Sequence, residues 1–316
     1  MSEDRKLPNR RQFLSAAGLM GAGAVLASCS PAMSAAPAKT NYDASIGNFA
    51  LNLEYLEAAF YLAAVGRIGE IKAIGGSAEI ILPAGFDGTK AISFESDAVR
   101  QYAEEIAQDE LNHVVALRAL LTSKGATPVD RPVLDIGPAF AAAANATAYN
   151  AKVITAPAKL TPDFNPYLND LFFLHGAFIF EDVGVTAYHG AARLVVDDSA
   201  GGILDSAAGI LAVEAYHAAE VRTLLYAQKD KPTGYGLTVE QLINAISALR
   251  AALGNGKDQG ITLNGKANIL PTDGSSIAFG RTPREVGNIV FGAKDAPKGL
   301  FFPNGLSGDF SALLAL

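Results

Sequence analysis

Sulfur, tryptophan and positive charge are what this sequence has least of. Its one cysteine, Cys29, has no partner among 316 residues, so no disulfide within the chain can hold the fold. Tryptophan is absent, and charged residues make up only 18% against 50% hydrophobic ones. That balance excludes a chain disordered throughout and leaves ample material for a large buried core. The formal net charge is -7, and discarding the first 28 residues, which hold Arg5, Lys6, Arg10 and Arg11 against Glu3 and Asp4, leaves the remainder more negative still. Such a surface is poorly suited to nucleic acid. The apolar run from Phe13 to Ala27 is rich in Gly and Ala and falls short of the ~20 strongly apolar residues of a membrane span.

What the N-terminus does carry is an address. Paired Arg10 and Arg11 followed by Phe13-Leu14 and the short apolar run resemble a twin-arginine export signal over residues 1–28. Leu26-Ala27-Ser28-Cys29 resembles a lipobox, with Cys29 as the lipid-modified residue and a membrane anchor as the consequence. The alternative is cleavage further on, near Ser34-Ala35-Ala36, with Cys29 discarded. Residues 29–45 then form a linker, and the mature protein is expected in the periplasm, held at the membrane through Cys29.

Beyond the linker the sequence is predominantly helical. Asn48 to Ala64 places Phe49, Leu53, Leu56 and Phe60 on one stripe, which predicts a first helix. Residues 69–93 break that period with Gly75-Gly76, Pro83 and Asp87-Gly88, and are expected as a long connection containing a short strand or hairpin. A second helix is predicted from Ser96 to Lys124 with Gly125 as its cap. Residues 127–165 hold a long crossover with a short helix from Pro138 to Asn150, followed by helices over 166–194 and 202–228. A fifth starts at the Thr238/Gln241 capping box. The helical domain is thus expected over 46–253. Residues 254–316, rich in Gly, Pro, Asn and Asp, are expected as an irregular extension packed on it, with one helical turn at Thr282-Pro283-Arg284-Glu285.

The helices contain a duplication. Glu110, His113, Arg118, Leu120 and Leu121 align without gaps on Glu214, His217, Arg222, Leu224 and Leu225. More weakly, Glu54 is followed seven residues on by Tyr61, and Glu181 by Tyr188. Two copies of a helical hairpin follow. Positions three apart on a helix share a face, so each Glu-x-x-His offers a carboxylate and an imidazole to one point. The neighbours on those faces are apolar: Ala103, Ile106, Ala107 and Val114 around Glu110, and Leu174, Ala177, Phe178 and Val185 around Glu181.

An ionised carboxylate surrounded by such residues needs a partner. No Lys or Arg lies on the faces of Glu110, Glu181 and Glu214. Two divalent cations would balance the four charges of Glu54, Glu110, Glu181 and Glu214, with neutral His113 and His217 completing the set. An oxygen-rich set with two imidazoles suits iron, with manganese as the alternative. Glu57, three residues after Glu54, is a rival or extra ligand on the first helix, although the matched tyrosines favour Glu54. Tyr61 and Tyr188 are expected as hydrogen-bond donors beside the metals. Arg118 and Arg222, off the ligand face, are expected to pair with acids at the bundle surface. His175 and His189 are expected to be structural, and Glu104, Glu105 and Asp109 a solvated face.

This order of residues, with a long crossover after the second helix, resembles the ferritin-like di-iron carboxylate proteins. Phe49 to Ala58, Phe279-Gly280-Arg281-Thr282-Pro283 and Phe301-Phe302-Pro303-Asn304-Gly305 are similar to the bacterial desiccation-related branch of that superfamily. The resemblance implies an all-α fold, an antiparallel four-helix bundle with a fifth helix. It also implies a di-metal site that reacts with oxygen or peroxide in iron oxidation or envelope stress protection. A di-manganese catalase-like enzyme and a non-catalytic stress protein with structural metals are the alternatives. The long connections and tail do not suit a closed storage shell, and whether the chain forms a smaller homo-oligomer is left open.

Overall fold

The computed structural model describes residues 40–155 and 158–316. Arg10, Arg11 and Cys29 lie outside the described residues. Four long helices carry the architecture: α1, Asp43–Ala64; α3, Asp97–Ser123; α5, Asp170–Ala192; and α6, Ile203–Ala227. Between them lie α2, Ile68–Lys72, and α4, Pro138–Asn150; after them come α7, Val239–Leu253, α8, Pro283–Val290, and α9, Ser311–Leu314. The fold is all-α and ferritin-like. Helix α1 pairs with α3 and α5 with α6. Both pairs are antiparallel, since Gly47 lies at Leu121 while Glu54 reaches His113, and Asp182 reaches Arg222 while Gly184 lies at Glu214.

The helix ends follow local chemistry. Helix α3 begins where Ser96 accepts a hydrogen bond from Val99 N–H. It ends in a Schellman motif: Ala126 N–H bonds Leu121 C=O, Gly125 N–H bonds Thr122 C=O, and Gly125 takes the left-handed φ of 76°. The predicted capping boxes at Thr238/Gln241 and Thr282/Glu285 both form. Two starts differ from expectation. Helix α5 starts at Asp170 rather than Pro166, because Asn169 is the residue that caps Phe172 N–H. Helix α1 starts at Asp43 rather than Asn48, and the Asp43 carboxylate accepts from Val196 and Asp197 N–H at 2.8 and 2.9 Å. Asp170, which aligns with Asp43 in the duplication, accepts from Glu95 and Ser96 N–H at 2.9 and 2.7 Å. Each hairpin's first helix thus clamps the backbone that leads into the other hairpin's second helix or precedes it.

The first connection contains α2 as well as a strand, β1 (Ile80–Ile81), and the strand makes no hairpin. It pairs in parallel with β2, Leu134–Asp135, from the crossover. A small antiparallel pair, β3 (Thr262–Leu263) with β4 (Lys266–Ala267), lies in the C-terminal extension. Helix α5 is apolar and long enough to cross a membrane by composition alone, yet most of it is buried in the bundle. The core is aromatic where the crossover and the extension meet the bundle: Phe60 stacks on Phe173, and Phe301 packs against Phe140 and Phe180.

The extension is tied to the bundle by buried charge. Asp182 accepts from Arg222 and Arg250, both at 2.8 Å, and Asp258 from Arg250 at 2.9 Å and Arg281 at 2.7 Å. Arg222 is 1% exposed and also donates to the carbonyls of Gln259, Gly260 and Asn268. Arg222 thus pairs with an acid as expected, but in the interior rather than at the surface, because the extension covers that side of the bundle and its carbonyls take the place of water. Arg118 also departs from expectation. It is half-buried and donates to the Tyr55 hydroxyl at 2.6 Å and to Val129 C=O at 3.1 Å rather than to an acid.

Candidate metal centre

Glu54 on α1, Glu110 and His113 on α3, Glu181 on α5, and Glu214 and His217 on α6 converge at mid-bundle. Glu54, Glu110, Glu181 and Glu214 are 0–1% exposed, His113 8% and His217 6%. One atom each from Glu54, Glu110, His113 and Glu214 lies within 4.8 Å of the others; so does one each from Glu110, Glu181 and His217. Glu110 belongs to both groups, and the two imidazole centroids are 6.3 Å apart. His113 Nδ1 lies 3.2 Å from Glu54 and 3.6 Å from Glu110; His217 Nδ1 lies 3.1 Å from Glu110 and 3.6 Å from Glu181.

The tyrosines bond across the duplication. Tyr61 of the first copy donates to Glu181 of the second, and Tyr188 of the second to Glu54 of the first. Each hydroxyl fixes one carboxylate oxygen and leaves the other turned to the centre. His217 Nε2 lies 3.2 Å from the Asp109 carboxylate, so Asp109 is not simply part of a solvated face. It orients the ring from outside while Nδ1 faces inward. Glu104 and Glu105 are exposed as expected. His175 is fully buried with Nδ1 against Leu171 C=O, and neither His175 nor His189 belongs to the cluster.

Glu57 falls in neither donor group, so Glu54 is the α1 carboxylate that completes the convergence. Yet Glu57 is 5% exposed and lies beside the site. The duplication places Gly184 opposite it: a Cβ there would collide with Glu214 Oε2 and come within 3.4 Å of Glu57 Oε1. The second copy therefore keeps a glycine where the first has a fifth carboxylate. That carboxylate is missing from a charge count made on four glutamates. Burial first, then the neighbouring Glu110 and Glu54, push its pKa well above 4.5, and Glu214 is pushed up in the same way by burial and then Glu57.

Without a cation the cluster must keep protons instead. Burial, then Glu110, raises Glu54 to about 7, and burial raises Glu181 to about 8. Burial also disfavours ionised Glu110, but His113 and His217 outweigh it and bring Glu110 down to about 2. The imidazoles move the other way: against the burial cost, Glu54 and Glu110 carry His113 to about 11, and Glu110 and Glu181 carry His217 to about 9. Both oxygens of Glu110 and of Glu214, one of Glu181 and Nδ1 of His217 have no hydrogen-bond partner. Buried polar atoms are rarely left so, and these all belong to residues of the two donor groups. These oxygen-rich buried donors, with Glu110 common to both groups, would suit divalent metal ions.

A model of the ferritin-like domain matches residues 42–227, the span that supplies all six converging residues. This chain belongs to the ferritin-like family. It is 34% identical over 289 residues to the desiccation-related protein PCC13-62 of Craterostigma plantagineum, covering 86% of this chain and 85% of that one. The ferritin-like catalase Nec2 of Nesocodon mauritianus is 29% identical over 285 residues, 84% of each chain. No solved structure matches. The ferritin-like domain match ends at the last turn of α6, so α7 and the buried-arginine extension lie beyond the matched domain.

Proposed function

We propose that this ferritin-like protein is an exported two-metal oxidoreductase, with iron as the first choice of metal and manganese as the second, that reacts with oxygen or peroxide in iron oxidation or envelope stress protection. The observation that carries it is the set of unpartnered buried donors in two groups that share Glu110. A bound metal pair supplies the two-electron redox chemistry. The chain supplies position and protons. Tyr188 and Tyr61 hold Glu54 and Glu181 by one oxygen each. The two imidazoles alone among the six keep a solvent edge, and Asp109, its side chain 36% exposed, links His217 Nε2 to water. That edge is where a polar oxidant or a proton would approach.

Peroxide disproportionation is the second reading, favoured by the name of the Nesocodon relative; the name of the Craterostigma relative favours a role in drying stress. Apo-protein loaded with Fe(II) or Mn(II) should react with oxygen or hydrogen peroxide faster than the free metal, and His113→Ala or His217→Ala should each remove that advantage while His175→Ala keeps it. Metal-loaded protein inert to both oxidants would leave structural metals as the function. Export rests on Arg10, Arg11 and Cys29. Replacing both arginines by Lys should trap precursor in the cytoplasm, and Cys29→Ala should free the protein from membranes. Stable anchoring takes more than one acyl chain; a Cys29→Ala protein that fractionates like wild type would remove the lipid anchor from this account.

A further inference from the structure

At the end of the bundle where α1 begins, a cavity of about 40 Å³ lies among all four long helices and α8. Its wall includes Leu53, Leu117, Tyr188, Ala191, Ala207 and Val286. Leu53 precedes Glu54, Leu117 lies one turn beyond His113, and the Tyr188 hydroxyl bonds Glu54, so the cavity abuts the residues that support the metal centre.

Its chemistry is that of hydrocarbon. The two polar side chains in the wall are mostly committed elsewhere, Tyr188 to Glu54 and the Arg281 terminal nitrogens to Thr186, Lys257 and Asp258, which leaves the Arg281 Nε as a lone donor, short of the partners a water needs. A buried water needs two to four polar partners, and apolar cavities without them stay dry and accept small apolar guests. One water-sized probe fills roughly 10–15 Å³, so there is room for a diatomic molecule. Ala191, Ala192 and Ala207 are half-buried and bring the wall close to solvent.

We infer that this cavity is a holding site for dioxygen beside the metal centre, filled from the Ala191–Ala207 side and adjoining Glu54 through Leu53 and Tyr188. The inference rests on the proposed reactivity of the metal pair with oxygen. Hydrogen peroxide, which would lose its hydrogen bonds in such a cavity, is excluded from it and left to approach along the imidazole edge. The two oxidants therefore reach one centre by different routes.

Crystals of the metal-loaded protein pressurised with xenon should show the gas among Leu53, Tyr188 and Ala191 in the wild type and not in Ala191→Leu or Ala207→Leu, two fillings from different helices in case one misfolds. In stopped-flow mixing of the Fe(II)-loaded proteins, the ratio of the oxygen rate to the peroxide rate should fall several-fold in the filled variants. An empty cavity under xenon in the wild type, or a ratio unchanged in both variants, overturns the inference while leaving the metal centre's reactivity standing. A wild type that reacts with neither oxidant overturns that reactivity, and the inference falls with it.

Discussion

At the scale of single residues, the centre is a set of groups whose protonation is set by one another. Glu54 and Glu181 are raised from 4.5 to about 7 and about 8, and His217 and His113 from 6.5 to about 9 and about 11. A group raised by folding stabilises the fold below its unfolded pKa and loses that contribution as pH climbs through the folded value. The apo-protein should therefore lose stability progressively from about pH 5 upward, and go on losing it toward about pH 11 where His113 gives up its proton. Glu110, lowered to about 2, works in the opposite sense and only at the acid end. Metal displaces these protons, so its affinity should rise with pH and its uptake should release acid. Urea melts of apo- and metal-loaded protein at pH 5, 7 and 9 check this, and an apo-protein equally stable at all three would contradict it. The six converging residues were legible because Glu-x-x-His on an apolar face has few other uses. Asp109 and the crossed tyrosine bonds were not, because each depends on which helix lies opposite.

At the scale of elements, hydrophobic period and capping residues located the long helices, and the aligned hairpins suggested their pairing. The pattern failed where another segment of chain changes a residue's surroundings. Five residues after His217, Arg222 leaves the ligand face, and on a bare bundle it would meet water. Instead the extension covers it, and Asp182, Asp258, Arg222, Arg250 and Arg281 form a dry network. Removing one partner from such a network strands charge rather than merely losing a bond. Asp182→Ala, which leaves Arg222 and Arg250 without their shared carboxylate, should destabilise the protein by about 3–5 kcal/mol, measured by the shift of the urea midpoint. A change within about 0.5 kcal/mol, as for an ordinary surface substitution, would mean that water or another acid replaces it. Nothing in the helical period of α6 announces this role, since it is assigned by residues 259–268, some forty positions downstream.

At the scale of the whole molecule, the described chain from Asn41 to Leu316 is one unit, with the metal centre at its middle and the extension closing one flank. The duplication gives the centre near-symmetric halves, and the halves differ at Glu57 and Gly184, where the first copy adds a fifth buried carboxylate and the second keeps a glycine. Everything proposed about oxygen, peroxide and stress depends on two metal ions sharing Glu110. Anaerobic titration of apo-protein with Fe(II), followed by metal analysis after desalting, tests that most directly. The account predicts about two ions per wild-type chain, loss of both in Glu110→Ala, loss of one in Glu214→Ala, and none lost in the exposed Glu105→Ala. A single ion per wild-type chain, or equal loss from all three variants, would contradict it.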